Sequence, residues 1–222
     1  MHSRRPWLIA ASVSAVIIYA AMWVGYVQNW AWLDAVDTDL LRVFHDFGVT
    51  RPGWVSFWVS FCIVFGPTGF RVIALVVIVV AVLRRNLQTA LFLFISVELM
   101  GFVTEVAKRI AGRPRPATAM TDAVSSSFPS GHALGVMVGV LALLTVAWPF
   151  IGERLRVPLV VLGAGLILAV GFSRVLLNVH HPSDVVAGWA LGFLYYLLCV
   201  RVLPPRDLTS VAETPAELGT AR

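Results

Sequence analysis

The sequence predicts an all-α protein, a six-span transmembrane helical bundle with short amphipathic interfacial helices on the extracytoplasmic side. Three observations predict it. Of 222 residues, 59% are hydrophobic and 13% are charged, against roughly 25% charged residues in soluble domains, and the mean hydropathy is +0.84. Apolar runs approaching the roughly 20 residues that cross a hydrocarbon core of about 30 Å recur along the chain. Basic residues collect at every second boundary between those runs. This composition excludes a soluble enzyme, a disordered chain and a disulfide scaffold. The net charge of +5 would suggest nucleic acid in a soluble protein. Here the cations fall between apolar runs, so no nucleic-acid partner is expected.

The first span, 7–27, follows Arg4 and Arg5, as the core of a secretory signal would. Signal cores run about 7 to 15 residues, whereas this run is longer, carries Trp23 and Tyr26, and lacks a clear small-residue cleavage site. It therefore reads as a retained anchor. Next, Leu33, Val36, Leu40, Leu41, Phe44 and Phe47 recur at helical spacing with Asp34, Asp37, Asp39 and Arg42 between them. That pattern is an amphipathic helix lying on the outer interface. Trp54 to Phe65 is too short to span alone. It either lies beside that helix or forms a kinked lead, at Gly66-Pro67-Thr68-Gly69, into a short second span at 68–83. The aromatic residues here form an interfacial belt or guide a lipid toward the site.

The third to sixth spans are placed at 87–107, 132–150, 157–172 and 185–203. Gly131, Gly135 and Gly139 repeat every four residues on the fourth, and Gly188 and Gly192 do so on the sixth. Small residues at that spacing let helices approach closely, so these two spans are expected to pack together. Residues 1–206 read as one integral membrane domain, and 207–222 as a polar, mobile cytoplasmic tail. No internal repeat of useful length is present. Cys62 and Cys199 lie in apolar surroundings and read as unreactive packing residues. Glu98 in the third span needs a basic partner or water, and Glu105 is spaced to neighbour Lys108 on one helix.

Cytoplasmic loops hold an excess of Lys and Arg. Arg84 and Arg85, Arg154 and Arg156, and Arg201 and Arg206 join Arg4 and Arg5 at alternate boundaries, which puts both termini in the cytoplasm. The loop after the third span breaks the rule, with Lys108, Arg109, Arg113 and Arg115, and Arg174 follows the fifth span on the same side. Cations retained there serve something other than orientation.

Three segments at that outer boundary carry an unusual inventory: Lys108-Arg-Ile-Ala-Gly-Arg-Pro-Arg115-Pro116, then Pro129-Ser130-Gly131-His132, then Ser173-Arg174 followed by His180-His-Pro-Ser-Asp184. Alone, the first fits cationic side chains snorkelling to lipid phosphates. In the second, Ser130 serves as a helix cap, or the amides of Gly131 and His132 also receive an anion at the positive end of the helix dipole. In the third, Asp184 either orients His180 as a nucleophile or is a carboxylate stabilised at a helix start. Taken together, Lys108, Arg115 and Arg174 supply positive charge, Ser130 and Gly131 supply neutral donors, and His132 and His180 titrate near neutral pH. A tetrahedral oxyanion uses them all, which suits phosphoryl transfer. The crowding of cations and the lack of paired carboxylates weigh against a divalent metal.

The pattern K-x6-R-P, P-S-G-H and S-R-x5-H-x3-D, in that order and at loop-to-helix boundaries, resembles the type 2 phosphatidic acid phosphatase superfamily. It is carried by Lys108, Arg115, Pro116, Pro129, Ser130, Gly131, His132, Ser173, Arg174, His180 and Asp184. The resemblance implies that His180 attacks phosphorus to form a phosphohistidine, that Asp184 orients it, and that His132 protonates the leaving oxygen. Lys108, Arg115, Ser130, Gly131 and Arg174 would bind the phosphoryl oxygens, with no cofactor. The adjacent His181 is set aside because only His180 has the x3 spacing to Asp184. The expected activity is that of a membrane lipid phosphate or diphosphate phosphatase with an extracytoplasmic site, in a bacterial inner membrane and serving cell-envelope synthesis. Polyprenyl diphosphate, phosphatidic acid and phosphatidylglycerol phosphate are the candidate substrates. Phosphotransfer to an acceptor hydroxyl, or non-catalytic binding or transport of lipid phosphates, stay open on sequence, and oligomeric state is not indicated.

Overall fold

The structure, a computed structural model, describes residues 6–122 and 125–208. Among them are nine α-helices and no strand: α1 (Pro6–Val27), α2 (Ala31–Gly48), α3 (Pro52–Phe65), α4 (Pro67–Leu83), α5 (Leu87–Leu93), α6 (Met100–Ala111), α7 (Gly131–Ala147), α8 (Glu153–Leu176) and α9 (Pro182–Val202). A π turn at Phe94–Glu98 joins α5 to α6, and a 3₁₀ turn at Trp148–Phe150 extends α7. With α3 and α4 taken together, and α5 and α6 likewise, six stretches among the described residues are long and apolar enough to cross a membrane.

The second stretch, Pro52–Leu83, has 32 residues: α3 forms the kinked lead, one of the two expected arrangements, into the short span at 68–83. Its break is chemical. Pro52 and Pro67 each begin a helix, the position where a missing N–H costs nothing. Between them, a Cβ on Gly66 would lie 2.0 Å from the Cys62 carbonyl oxygen, so only glycine fits this junction. The fifth stretch, Glu153–Leu176, has 24 residues, about 36 Å at 1.5 Å per residue. It is longer than the apolar run at 157–172 because the helix continues through Ser173 and Arg174, carrying both beyond the run.

Helices α7 and α9 form the centre of the bundle. A Cβ on Gly188 would meet the Ser130 carbonyl oxygen at 2.5 Å, and one on Gly192 would meet that of Leu134 at 2.8 Å, so both glycines face α7 as expected. The glycines of α7 do not return the contact. Cβ atoms on Gly135 and Gly139 would strike Pro67 and Phe70 of α4 at 2.7 Å, so this row seats α4 instead. Gly192→Leu is therefore expected to destabilise the bundle by about 1–3 kcal/mol through overpacking, measured by thermal denaturation in detergent. Around this centre Leu134 and Val138 pack with Phe92, Leu93, Val97 and Met100. Ile17, Val76 and Phe102 stand exposed on the outer surface, as expected of a lipid-facing bundle.

Charged residues within the spans find partners. Arg71 on α4 donates from Nε to Glu98 at 3.1 Å. Glu105 accepts from Arg109 at 2.9 Å, not from Lys108 three residues on, which turns inward. Asp37 also departs from expectation. On α2 it lies on the buried stripe with Leu33 and Leu41, each four residues from the next, while Val36 and Phe47 face outward. Cys62 and Cys199 are free and buried. At the far end, Asn86 and Thr89 donate to the carbonyls of Arg206 and Asp207, tying the start of the tail to α5. Residues 209–222 of the expected tail lie outside the described residues.

Candidate active site

The three motifs meet at one end of the bundle, on the end of α6, the start of α7, the end of α8 and the start of α9. Helix α6 stops at Gly112, whose φ of +60° closes the last turn by donating to the Lys108 carbonyl at 2.9 Å. Prolines 114 and 116 then keep the chain extended. The returning segment is laced to this one: the Ser127 amide donates to the Arg113 carbonyl at 2.8 Å, and the Ser126 hydroxyl to the Lys108 carbonyl at 2.8 Å. Lys108, itself buried, donates from Nζ to the Ser126 carbonyl at 2.7 Å and to Ser125 Oγ at 2.8 Å.

Ser130 caps α7. Its Oγ accepts from the Ala133 amide at 3.5 Å, and its own amide donates to the Asp184 carbonyl at 2.9 Å, joining the second motif to the third. The amides of Gly131 and His132 open the helix, where first-turn N–H groups lack intrahelical partners. The His132 ring lies toward the α3–α4 junction, with Cδ2 3.3 Å from where a Gly66 Cβ would be. At the end of α8, Asn178 adopts φ +55°, a left-handed conformation asparagine tolerates better than most residues. The chain then folds back, so that the amides of Val179 and His180 both donate to the Arg174 carbonyl, at 3.1 and 3.3 Å.

His180 is almost fully buried, at 2% exposure. Its Nε2 lies 3.3 Å from Arg115 Nη1, and Arg115 is itself held by the carbonyls of Ser125 and Val179, each at 2.7 Å. Burial pushes the imidazole down to a pKa of about 4; Asp184 opposes this, while Arg174 and Arg115 add to it. The ring is neutral at physiological pH, and a proton on Nδ1, the side facing Asp184, leaves the Nε2 lone pair toward Arg115. The Arg115 guanidinium is also lowered, by burial and then by Arg174. Arg174 is buried, and its Nε has no hydrogen-bond partner among the described residues. Below it, Cys62 Sγ lies 2.9 Å from Ser173 Oγ, which fixes the thiol as packing beneath the third motif.

Of the two roles open to Asp184, the carboxylate at a helix start is the one that carries hydrogen bonds. Its Oδ2 is 3.6 Å from His180 Nδ1, beyond hydrogen-bond length, and His180 Nδ1 has no hydrogen-bond partner among the described residues. The same oxygen is 3.1 Å from His181 Nδ1 and accepts from the His181 amide at 2.8 Å. The reason is local: Asp184 is the third residue of α9, and its carboxylate reaches back to cap the helix. Its other oxygen accepts from Arg113 Nη1 at 2.7 Å. Arg113, counted in the sequence only as one excess cation, is thus buried between two carboxylates, with Nη2 donating to Asp37 at 2.8 Å. Burial works against the Arg113 charge, but Asp184 and Asp37 more than offset it and raise its pKa. Arg113, Asp37, Ser183 and His181 are the site residues that sequence reasoning missed. The one signal for Asp37 was its four-residue spacing from Leu33 and Leu41.

The fold and this end of it define a class: a membrane bundle holding a buried imidazole among cations where three motifs converge. The sequence model of the PAP2 superfamily matches residues 89–207, and the chain belongs to that superfamily. An undecaprenyl-diphosphatase of Sulfolobus acidocaldarius is 31% identical over 130 residues, 54% of this chain and 58% of that protein. A lipid A 1-phosphatase of Rhizobium johnstonii is 33% identical over 124 residues, 50% of this chain and 46% of the relative. The alignments thus span about half the length of these curated relatives. The crystal structure of a transmembrane PAP2 type phosphatidylglycerolphosphate phosphatase from Bacillus subtilis superposes with a TM-score of 0.70 at 21% identity, covering 87% of this chain and 94% of that one. The protein is an integral membrane protein with this fold.

Proposed function

We propose that the protein is a metal-independent lipid phosphate or diphosphate phosphatase that works through a phosphohistidine. The observation that carries this reading is the neutral, buried His180, whose Nε2 lies 3.3 Å from Arg115 Nη1 beside Arg174. Binding alone needs the cations but no imidazole held in this way. Nε2 attacks phosphorus as the bond to the lipid oxygen breaks, and His132 gives that oxygen its proton. Water then attacks phosphorus, giving a proton to His132 as the phosphorus–nitrogen bond breaks, which releases phosphate and the free imidazole. Asp184 orients His180 from the Nδ1 side by closing the present 3.6 Å separation to a hydrogen bond in the substrate complex. Lys108, Arg115, Arg174, Ser130 and the Gly131 amide hold the equatorial oxygens, where charge builds in the transition state.

The apolar tail of the substrate stays in the bilayer while its headgroup enters the nest. The relatives are named for undecaprenyl diphosphate and lipid A 1-phosphate, which share a phosphoryl group on a membrane-held carrier. Polyprenyl diphosphate, phosphatidic acid and phosphatidylglycerol phosphate fit the same description. Arg84, Arg85, Arg154, Arg156, Arg201 and Arg206 lie at the ends of helices remote from the motifs, and the positive-inside rule puts that side in the cytoplasm. The site then faces outward in the plasma (inner) membrane, where polyprenyl carriers for the cell envelope are recycled.

The test is phosphate release by detergent-purified protein across polyprenyl, glycerolipid and soluble phosphates. Lipid phosphates are expected to be hydrolysed, with activity retained in excess chelator and inhibited by vanadate. Loss in chelator that one metal restores overturns the metal-free mechanism. Binding of lipid phosphate without any release overturns the enzyme.

A further inference from the structure

Asp37 has no role in the chemistry above, yet it is 1% exposed on a helix otherwise suited to lie flat on the bundle end. Its carboxylate crosses from α2 to the first turn of α9. Oδ1 accepts from the Ser183 amide at 2.9 Å, and Oδ2 accepts from the Ser183 hydroxyl and from Arg113 Nη2 at 2.8 Å. Arg113 Nη1 continues the line, donating to Ser183 Oγ and to Asp184 Oδ1, both at 2.7 Å, while its guanidinium lies over the Tyr26 ring at 4.7 Å. The result is an alternating chain of buried charges, Asp37, Arg113, Asp184, ending beside the histidines. Apolar side chains of similar volume would pack α2 at least as well, since buried ion pairs are weak contributors to stability. What the charges add is direction.

We propose that Asp37 is a positioning residue for the reaction: through Arg113 and Ser183 it keeps Asp184 Oδ2 between the two histidine rings, within 3.6 Å of His180 Nδ1, so that the imidazole holds Nε2 in line with phosphorus. The proposal rests on the phosphatase reading. Asp184 Oδ2 stands between two rings, 3.1 Å from His181 Nδ1 and 3.6 Å from His180 Nδ1. A small rotation of the carboxylate decides which ring it serves. Arg113 pins the opposite oxygen, and Asp37 keeps Arg113 from swinging into the cavity of about 290 Å³ that both residues line with Arg115 and His181. With Asp37 neutral, that guanidinium loses its second carboxylate, and Asp184 is free to follow it away from His180.

The experiment uses the full chain in detergent and compares wild type with Asp37→Asn on a lipid phosphate, reading kcat, KM and inhibition by inorganic phosphate. Asp37 touches none of the groups that form the anion nest. Asp37→Asn is therefore expected to lower kcat about 10- to 100-fold, the range for a slight misplacement of a reacting group, with KM and the inhibition constant of inorganic phosphate, a ground-state occupant of the nest, within about a factor of three. Asp37→Glu, which keeps the charge, is expected to recover part of kcat. An unchanged kcat in folded Asp37→Asn overturns the proposal, as does a parallel loss of kcat and of inorganic phosphate binding, which would mark general collapse of the nest. If Asp37→Asn does not fold, Ser183→Ala decides, because it removes the second branch of the same link. A kcat lowered at constant affinity for inorganic phosphate supports the proposal, and a full kcat overturns it. An inactive wild type overturns the phosphatase reading and the proposal with it, whereas an active wild type beside an unaffected Asp37→Asn overturns the proposal alone.

Discussion

His180→Ala is expected to reduce phosphate release by about 10⁴-fold or more, the scale seen when a covalent nucleophile is removed and only transition-state binding is left. No neighbour can replace it. His181 is adjacent, but its Nδ1 is taken by Asp184 at 3.1 Å, and it lines the outer cavity with Tyr26 and Asn29. The measurement is trapping of an acid-labile phosphoenzyme from labelled substrate, which wild type should form and His180→Ala should not. A labelled intermediate persisting in the variant sinks the assignment. The pH profile supplies a second check. Because burial and the nearby Arg174 and Arg115 hold the His180 pKa near 4 against the pull of Asp184, the imidazole is already neutral above that value. Nucleophile protonation should then reduce kcat/KM only as pH falls toward 4, and any loss between pH 5 and 7 belongs to another group, the substrate phosphate included.

Much of this architecture was legible because its causes are local or compositional. Six apolar runs and too few charges left no alternative to a membrane bundle, and the motif residues stood at helix boundaries where a cap, a proline or a glycine marks the turn. Gly188 and Gly192 announced the face that meets α7 because a small residue every four positions has few other uses. The same signal misled on Gly135 and Gly139, since spacing says that something approaches closely but not which helix. At Gly66 the sequence marked a kink but left open whether the preceding helix lies beside α2 or leads into the span, because Pro67 reads as a start whether or not another helix precedes it; the two helices form one 32-residue stretch. Least legible was the ion pair of Arg113 with Asp37, 76 residues apart. On α2 the apolar residues occupy two faces, one toward protein and one outward, and periodicity alone could not show that Asp37 belonged to the first. For Asp184 the sequence left two roles open: spacing named the histidine four residues back, now 3.6 Å away, while helix capping and Arg113 set the rotamer.

Arg113→Met should be the most destabilising single change at this end of the molecule. Methionine matches much of the bulk but leaves Asp37 and Asp184, at 1% and 0% exposure, facing each other without the cation that lies between them. Removing one partner of a buried pair costs about 3–5 kcal/mol, because the remaining charge stays desolvated. Here one substitution strands two. Ser183 and the His181 amide still donate to these carboxylates, but neither carries charge to match. Arg113→Lys should recover little, since one ammonium does not reproduce the fork that donates at 2.8 Å to Asp37 and 2.7 Å to Asp184 at once. The comparison is Arg109→Ala, four residues earlier in sequence, whose pair with Glu105 is largely exposed and worth about 1 kcal/mol or less. Thermal unfolding in detergent should separate the two variants widely. Equal, small shifts for Arg113→Met and Arg109→Ala would mean that the two buried carboxylates do not depend on Arg113, and the charge chain from α2 to α9 would lose its central link.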